Sequence, residues 1–133
     1  VAMPVPWGDP QRARVRIPDT SDRAMTVKQL RDLQLWLQRL AKSRLLRYST
    51  EFSKKRGCFG SAINWHDIDL YSITDEVIKK VIPAVDPIFL EADGRKEHAS
   101  QGSWCSWVEF VANGPQAPAL LFSHWWGGRF HDL

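Results

Sequence analysis

A regular spacing of leucines dominates one segment near the start of the sequence. Between Thr26 and Arg44 the leucines recur every three or four residues, which places an apolar stripe along one face of a helix. The stripe consists of Leu30, Leu33, Leu37 and Leu40. Thr26 and Gln29 have the spacing of a capping box, in which each side chain bonds the other residue's backbone amide. We therefore predict a helix from Thr26 to about Arg44 that buries its leucines in a core.

Two further segments have helical patterns. Thr74 to Pro83 predicts a second helix, with Asp75 and Glu76 in its first turn, where the helix dipole favours acids. Ser103 to Asn113 predicts a third helix, which Gly114 would end in a left-handed conformation.

The remaining regular structure is predicted to be strand. The apolar run from Ala119 to Phe122 indicates a buried strand. Ile63 to Tyr71 indicates a weaker strand that carries Asp67 and Asp69 on a solvated edge. At 133 residues, with 44% hydrophobic and 25% charged side chains, the chain has the size and composition of one globular domain. The expected fold is α+β (or small α/β), with about three helices and a few short strands.

Residues 1–25 are predicted to form an extended arm that precedes a single domain of residues 26–133. Proline disfavours helix and restricts the residue before it to extended geometry, and the arm contains Pro4, Pro6, Pro10 and Pro18. Such an arm would lie along a surface, either the protein's own or a partner's, and Trp7 would anchor it, since a tryptophan side chain has a large apolar area.

The charge is unevenly distributed along the chain. Residues 1–56 hold 13 basic and 5 acidic residues, a net charge of +8, whereas residues 57–133 hold 5 basic and 10 acidic residues, a net charge of −5. A basic first half favours an acidic or anionic docking surface on a larger protein complex, and it also allows peripheral membrane contact or nucleic-acid binding. A solvated surface with compensating charge pairs across the fold is the equal alternative. The predicted partner-binding residues are Trp7, Arg12, Arg14, Arg16, Lys54, Lys55 and Arg56.

Several classes of protein are disfavoured by what the sequence lacks. No apolar run approaches the roughly 18 to 20 residues that a membrane-spanning helix needs. Cys58 and Cys105 are 47 positions apart and neither belongs to a Cys-x-x-Cys pair. We expect both cysteines to be reduced and separately buried, with a single disulfide between them as the alternative, and we predict no metal site and no cofactor.

One segment carries a dense motif. Cys105-Ser106-Trp107-Val108-Glu109 is followed by Gly114-Pro115-Gln116-Ala117-Pro118 and then by Phe122-Ser123-His124-Trp125-Trp126-Gly127. In these residues the chain resembles a family of dinoflagellate and related alveolate proteins. The resemblance, together with a first residue that is Val1 rather than Met, implies a processed organelle protein, such as one of the chloroplast, or a fragment.

The end of the motif has a weaker resemblance to the first strand of Toll/interleukin-receptor-like domains, some of which cleave nicotinamide dinucleotides. In those domains the catalytic glutamate lies far downstream, and only 11 residues follow Phe122 here. Ser123 and His124 are adjacent, so their side chains would point to opposite faces of a strand, which is poor geometry for a nucleophile and its base. We predict no catalytic residue, and Ser123, His124, Trp125 and Trp126 are a motif of unassigned role.

The sequence therefore favours a non-catalytic accessory subunit or protein-interaction module of a larger assembly, for which a photosystem is one setting. It would dock through its arm, its basic first half and exposed members of its seven tryptophans. Two alternatives stay open: the N-terminal fragment of a Toll/interleukin-receptor-like nucleotide-processing enzyme, and a basic nucleic-acid-binding module.

Overall fold

The computed structural model describes residues 5–8, 15–85, 106–120 and 128–132. Within these ranges the fold is a small, mostly helical α+β fold, which confirms the predicted class. The helices are α1 (Val27–Lys42), α2 (Glu51–Lys55), α3 (Leu70–Ser72), α4 (Lys79–Val85) and α5 (Trp107–Val111). A π-helical segment (Ile73–Ile78) joins α3 to α4, and 3-10 turns lie at Thr20–Asp22 and Phe130–Asp132. The β-pairing of the described residues consists of isolated bridges: Arg23 with Gln116, Arg47 with Ala62, and Asp69 with Arg129.

Helix α1 begins with the predicted capping box. The Thr26 hydroxyl accepts the Gln29 amide at 3.0 Å, and the Gln29 side chain accepts the Thr26 amide at 3.0 Å. Leu33 and Leu37 of the leucine stripe are buried in the core. The helix ends at Lys42, two residues before the predicted end.

Removing the cap should destabilise the fold. In a Thr26→Ala variant the Gln29 amide loses its acceptor, so the free energy of unfolding should fall by about 1 kcal/mol. Urea denaturation followed by far-ultraviolet circular dichroism measures this loss. Thr20→Ala, which changes an exposed threonine that does not cap α1, is the matched control, and an equal loss in both variants would contradict the assignment of Thr26.

The second helical region starts earlier than predicted. Asp69 rather than a residue near Thr74 is the N-cap, and its carboxylate accepts the Ser72 amide at 2.8 Å. The helix continues through the π-helical segment and past Pro83 to Val85. The predicted solvated edge at Asp69 is also wrong, because this capping side chain is buried.

Glu76, in the π-helical segment, is a buried hydrogen-bond acceptor. Its carboxylate accepts the Ser49 amide at 2.8 Å and the Thr50 hydroxyl at 2.5 Å. Burial alone would raise the pKa of Glu76. The hydrogen bonds from Thr50 and Ser49 and the charge of Lys80 outweigh this effect, so the pKa lies below its ordinary value. These contacts fix the segment that follows α1 against the π-helical turn.

An aromatic cluster forms the centre of the core, and the predicted arm contributes to it. The Trp7 ring is 5.1 Å from Trp36, 6.4 Å from Trp107 and 5.5 Å from Phe110, measured between ring centroids. Only 9% of Trp7 is exposed. The prediction that Trp7 binds a partner therefore needs correction, because its indole is part of this chain's own core.

A second stretch of the arm packs on α5. Ile17 is fully buried together with Val108 and Ala112, and its amide donates to the Glu109 carboxylate at 3.2 Å. Residues 5–8 and 15–18 thus lie on helices of their own chain, whereas Arg12 and Arg14 lie outside the described residues.

The third helix and the final strand differ from the prediction. Helix α5 begins after Ser106 and ends at Val111, where Ala112 takes an extended conformation (φ −84°, ψ 160°). Gly114 is not among the glycines with positive φ. The predicted buried strand is wrong at Leu120, which is 82% exposed, and its residues 121–122 lie outside the described ranges.

Candidate anion-binding groove

A groove of about 340 Å³ lies at the C-terminal end of α1. Two short segments of the chain form its walls, one at the end of the helix and the other at residues 62–66. It is lined by Ala41, Lys42, Arg44, Ala62, Ile63, Asn64, Trp65 and His66. The lining thus includes two cationic side chains, an amide, an imidazole and an indole, and none of its eight residues is acidic.

The first wall is shaped by the way α1 ends. The Arg44 amide donates to the Ala41 carbonyl, and the Leu45 amide donates to the Leu40 carbonyl, both at 3.0 Å. This pair of bonds is a Schellman motif, in which the residue after the C-cap adopts a left-handed conformation. Arg44 occupies that position with φ 58°. The closed turn places Arg44 next to Lys42 at the groove.

The second wall is held by backbone and amide contacts. The Ile63 amide donates to the Leu46 carbonyl at 3.0 Å, and Arg47 pairs with Ala62 in an antiparallel bridge. The Asn64 side chain accepts the His66 amide at 2.9 Å, which closes a local turn. The wall is therefore joined to the segment that leaves α1, and the two walls keep a defined separation.

Aromatic side chains pack against the two rings that line the second wall, those of Trp65 and His66. Trp65 is half-buried, with its ring centroid 6.1 Å from Phe130 and 6.4 Å from His131. The ring centroids of His66 and His131 lie 5.5 Å apart, and the planes of the two rings meet at 80°. Phe130 is buried and its amide donates to the Ile68 carbonyl at 2.8 Å. The C-terminal 3-10 turn thus orients the indole that lines the groove.

Several lysines elsewhere on the surface are neutralised by a nearby acid, whereas Lys42 and Arg44 are not paired with any described acid, a property that they share with the exposed Lys55. Lys28, Lys54 and Lys79 each pair with an acid three or four positions away in the chain. No carboxylate of the described residues forms an ion pair with Lys42 or Arg44. A cation in the last turn of a helix is favourable by itself, because of the helix dipole. The distinguishing feature here is therefore the second wall, which brings Asn64 to His66 close to these cations.

Two other grooves lack this combination. One, of about 430 Å³, lies over the first part of α1 and contains Asp32 together with Lys28 and Arg39. Another, of about 320 Å³, is lined by uncharged residues that include Met25, Val27 and Leu120. Of these three grooves, the one at the end of α1 is the best suited to an anionic partner.

The basic residues predicted near position 55 lie elsewhere. Lys54 pairs with Glu51 at 2.9 Å. Arg56 pairs with Asp69 at 3.4 Å and lies over the Phe52 ring, so both cations have contacts within the chain. Lys55 is exposed on α2, and Arg16 is exposed in the arm. The structure does not bring these residues into the groove, and the groove residues themselves were not predicted.

The motif segment has structural roles where the structure describes it. Ser106 and Glu109 form the capping box of α5, and Glu109 also accepts the Ile17 amide. The Gln116 side chain donates to the Ala24 carbonyl at 2.6 Å and exchanges hydrogen bonds with Gln29. These residues join the arm to α5 and to the start of α1. Cys105 and Ser123, His124, Trp125 and Trp126 lie outside the described residues.

Cys58, the other cysteine, is a half-buried free thiol. Among the described side chains there is no group of three His, Cys, Asp or Glu residues that could hold a metal ion. None of the described helices has the length and hydropathy to cross a membrane.

No protein-family model, no curated protein and no solved structure matches the chain.

Proposed function

We propose that the protein is a non-catalytic docking module that binds an acidic segment of a partner protein in the groove at the end of α1. The observation that carries this proposal is the position of Lys42 and Arg44, two cations without an ion-pair partner among the described residues, beside the half-buried Trp65.

Charge complementarity is the main argument for an acidic occupant. Opposite charges steer association and select partners. A groove whose lining includes two cations and no acidic residue attracts an acidic segment without repelling it. Carboxylates of a peptide would pair with Lys42 and Arg44, while its aliphatic or aromatic side chains would contact Trp65. Tryptophan and arginine are also the residues that contribute most often to binding energy at interfaces.

The chemistry of the lining favours binding over catalysis. Acyl or phosphoryl transfer by a covalent route needs a nucleophile within hydrogen-bond reach of a base. The groove contains Lys42 and His66, which no hydrogen bond joins, and no Ser, Thr, Cys, Asp or Glu among its eight lining residues. Asn64, beside it, is occupied by the turn that it closes with the His66 amide.

Neutralising both cations should weaken the binding of an acidic peptide. An exposed ion pair contributes about 0.2 to 1 kcal/mol, so a Lys42→Gln/Arg44→Gln double variant should bind about tenfold more weakly. The measurement is fluorescence anisotropy with a labelled ten-residue peptide of alternating Asp and Glu. Affinity of the unchanged protein should also fall as salt is added.

The matched control is Lys28→Gln/Lys79→Gln, which changes the net charge equally at two lysines that already pair with Asp32 and Asp75. It should bind the peptide nearly as well as the unchanged protein. Equal weakening in both double variants would contradict the groove and leave only a general charge effect. If a labelled single-stranded RNA bound more tightly than the peptide, and its affinity fell in the Lys42→Gln/Arg44→Gln variant, a nucleic-acid partner would be favoured instead.

A further inference from the structure

Arg44 has an unusual backbone conformation for its residue type. Its φ is 58°, and among the described residues it is the one non-glycine with positive φ. The other described residues with positive φ are Gly8, Gly57 and Gly60. An L-residue with a Cβ atom is strained in this left-handed region, where glycine is not.

The turn itself does not require an arginine. The Schellman closure of α1 uses the backbone amides of Arg44 and Leu45, and glycine is the residue that such closures favour at this position. The described contacts of Arg44 also include no ion pair. Neither the turn nor an ion pair of the described residues therefore explains why an arginine occupies this strained conformation.

We infer that Arg44 is the specificity-determining residue of the groove and that it binds a carboxylate of the acidic partner with both of its terminal nitrogens. This inference rests on the proposed function and goes further, because it assigns different roles to the two cations. A planar guanidinium forms two parallel hydrogen bonds with a carboxylate, whereas a lysine ammonium acts as a point charge. Lys42 then supplies charge that either cation could supply.

Three single variants test the assignment with the same Asp/Glu peptide. Arg44→Lys keeps the charge but not the planar fork, so the affinity should fall about fivefold. Lys42→Arg should bind as the unchanged protein does. Arg44→Gly should also lose affinity, by about fivefold to tenfold, while the midpoint of thermal unfolding should rise by about 2 °C because the strained conformation is relieved.

The outcomes separate this inference from the proposed function. Unchanged binding by Arg44→Lys, with weak binding by the Lys42→Gln/Arg44→Gln variant, would overturn the assignment of Arg44 and leave the charged groove intact. A lower unfolding midpoint in Arg44→Gly would mean that the side chain stabilises the helix end, which would also overturn it. Unchanged binding by the double variant would contradict the proposed function itself.

Discussion

Replacing Trp7 by alanine should lower the free energy of unfolding by about 3 to 5 kcal/mol. Loss of a buried aromatic side chain removes its transfer free energy and leaves a cavity, and changes of this type have effects of that size. Trp7 packs against Trp36 and Phe110 at ring distances of 5.1 and 5.5 Å. Such pairs also contribute beyond the buried area. Guanidinium denaturation followed by far-ultraviolet circular dichroism avoids the change in tryptophan fluorescence.

The control for this measurement is a partly exposed aromatic residue. Phe59 is 51% exposed, so Phe59→Ala should have a much smaller effect. If Trp7→Ala unfolds at the same denaturant concentration as the unchanged protein, the Trp7 side chain does not contribute to the core. An anchoring role for Trp7 on a partner protein would then be the better interpretation.

The parts of the fold that sequence reasoning predicted well depend on neighbouring residues. Thr26 and Gln29 are three positions apart, and the leucine stripe repeats every turn, so α1 can be inferred from its own segment. Asp69 is a counterexample, because its capping bond to the Ser72 amide is just as local. It was misread because the alternation of Ile63 and Trp65 before it suggested a strand.

Contacts between distant parts of the chain could not be inferred in the same way. The prolines of the arm exclude helix, but they do not indicate which surface the arm contacts. The Ile17 amide meets Glu109 at a separation of 92 residues, and no local pattern in either segment indicates the other. The position of Trp7 in the core depends on side chains of both α1 and α5, namely Trp36 and Trp107, which are far apart in the chain.

The groove was missed for a related reason. The charge distribution indicated a basic first half, and Lys42 and Arg44 belong to it. The sequence does not show which cations are neutralised within the fold, and Arg56 pairs with Asp69 from a different segment. Nor does it show that Trp65 returns beside the end of α1, because this depends on the bridge between Arg47 and Ala62.

A Glu109→Gln variant should lose about 2 to 4 kcal/mol of stability at neutral pH. Glu109 is fully buried, and its two oxygens accept the Ile17 amide at 3.2 Å and the Ser106 amide at 3.1 Å. Arg23 adds a positive charge at 3.7 Å. An amide side chain offers one acceptor oxygen and turns an NH2 group toward these donors. This leaves a buried donor unsatisfied and removes the negative charge beside Arg23. Urea denaturation at pH 7 measures the loss.

The same variant should also change the response to acid. Burial alone would raise the pKa of Glu109. The hydrogen bonds from the Ser106 and Ile17 amides and the charge of Arg23 outweigh this effect, so the pKa in the folded protein lies below the ordinary value of 4.5. A carboxyl group with a lowered folded-state pKa contributes its full stability above the unfolded-state value and loses it as the pH falls through the folded-state value. The stability difference between the unchanged protein and Glu109→Gln should therefore be constant from pH 7 to about 5 and shrink below pH 4.5. Glu76 also has a lowered pKa, but it is present in both proteins and cancels in the difference. A difference that stays constant down to pH 3 would mean that the charge of Glu109 does not stabilise the contact between the arm and α5.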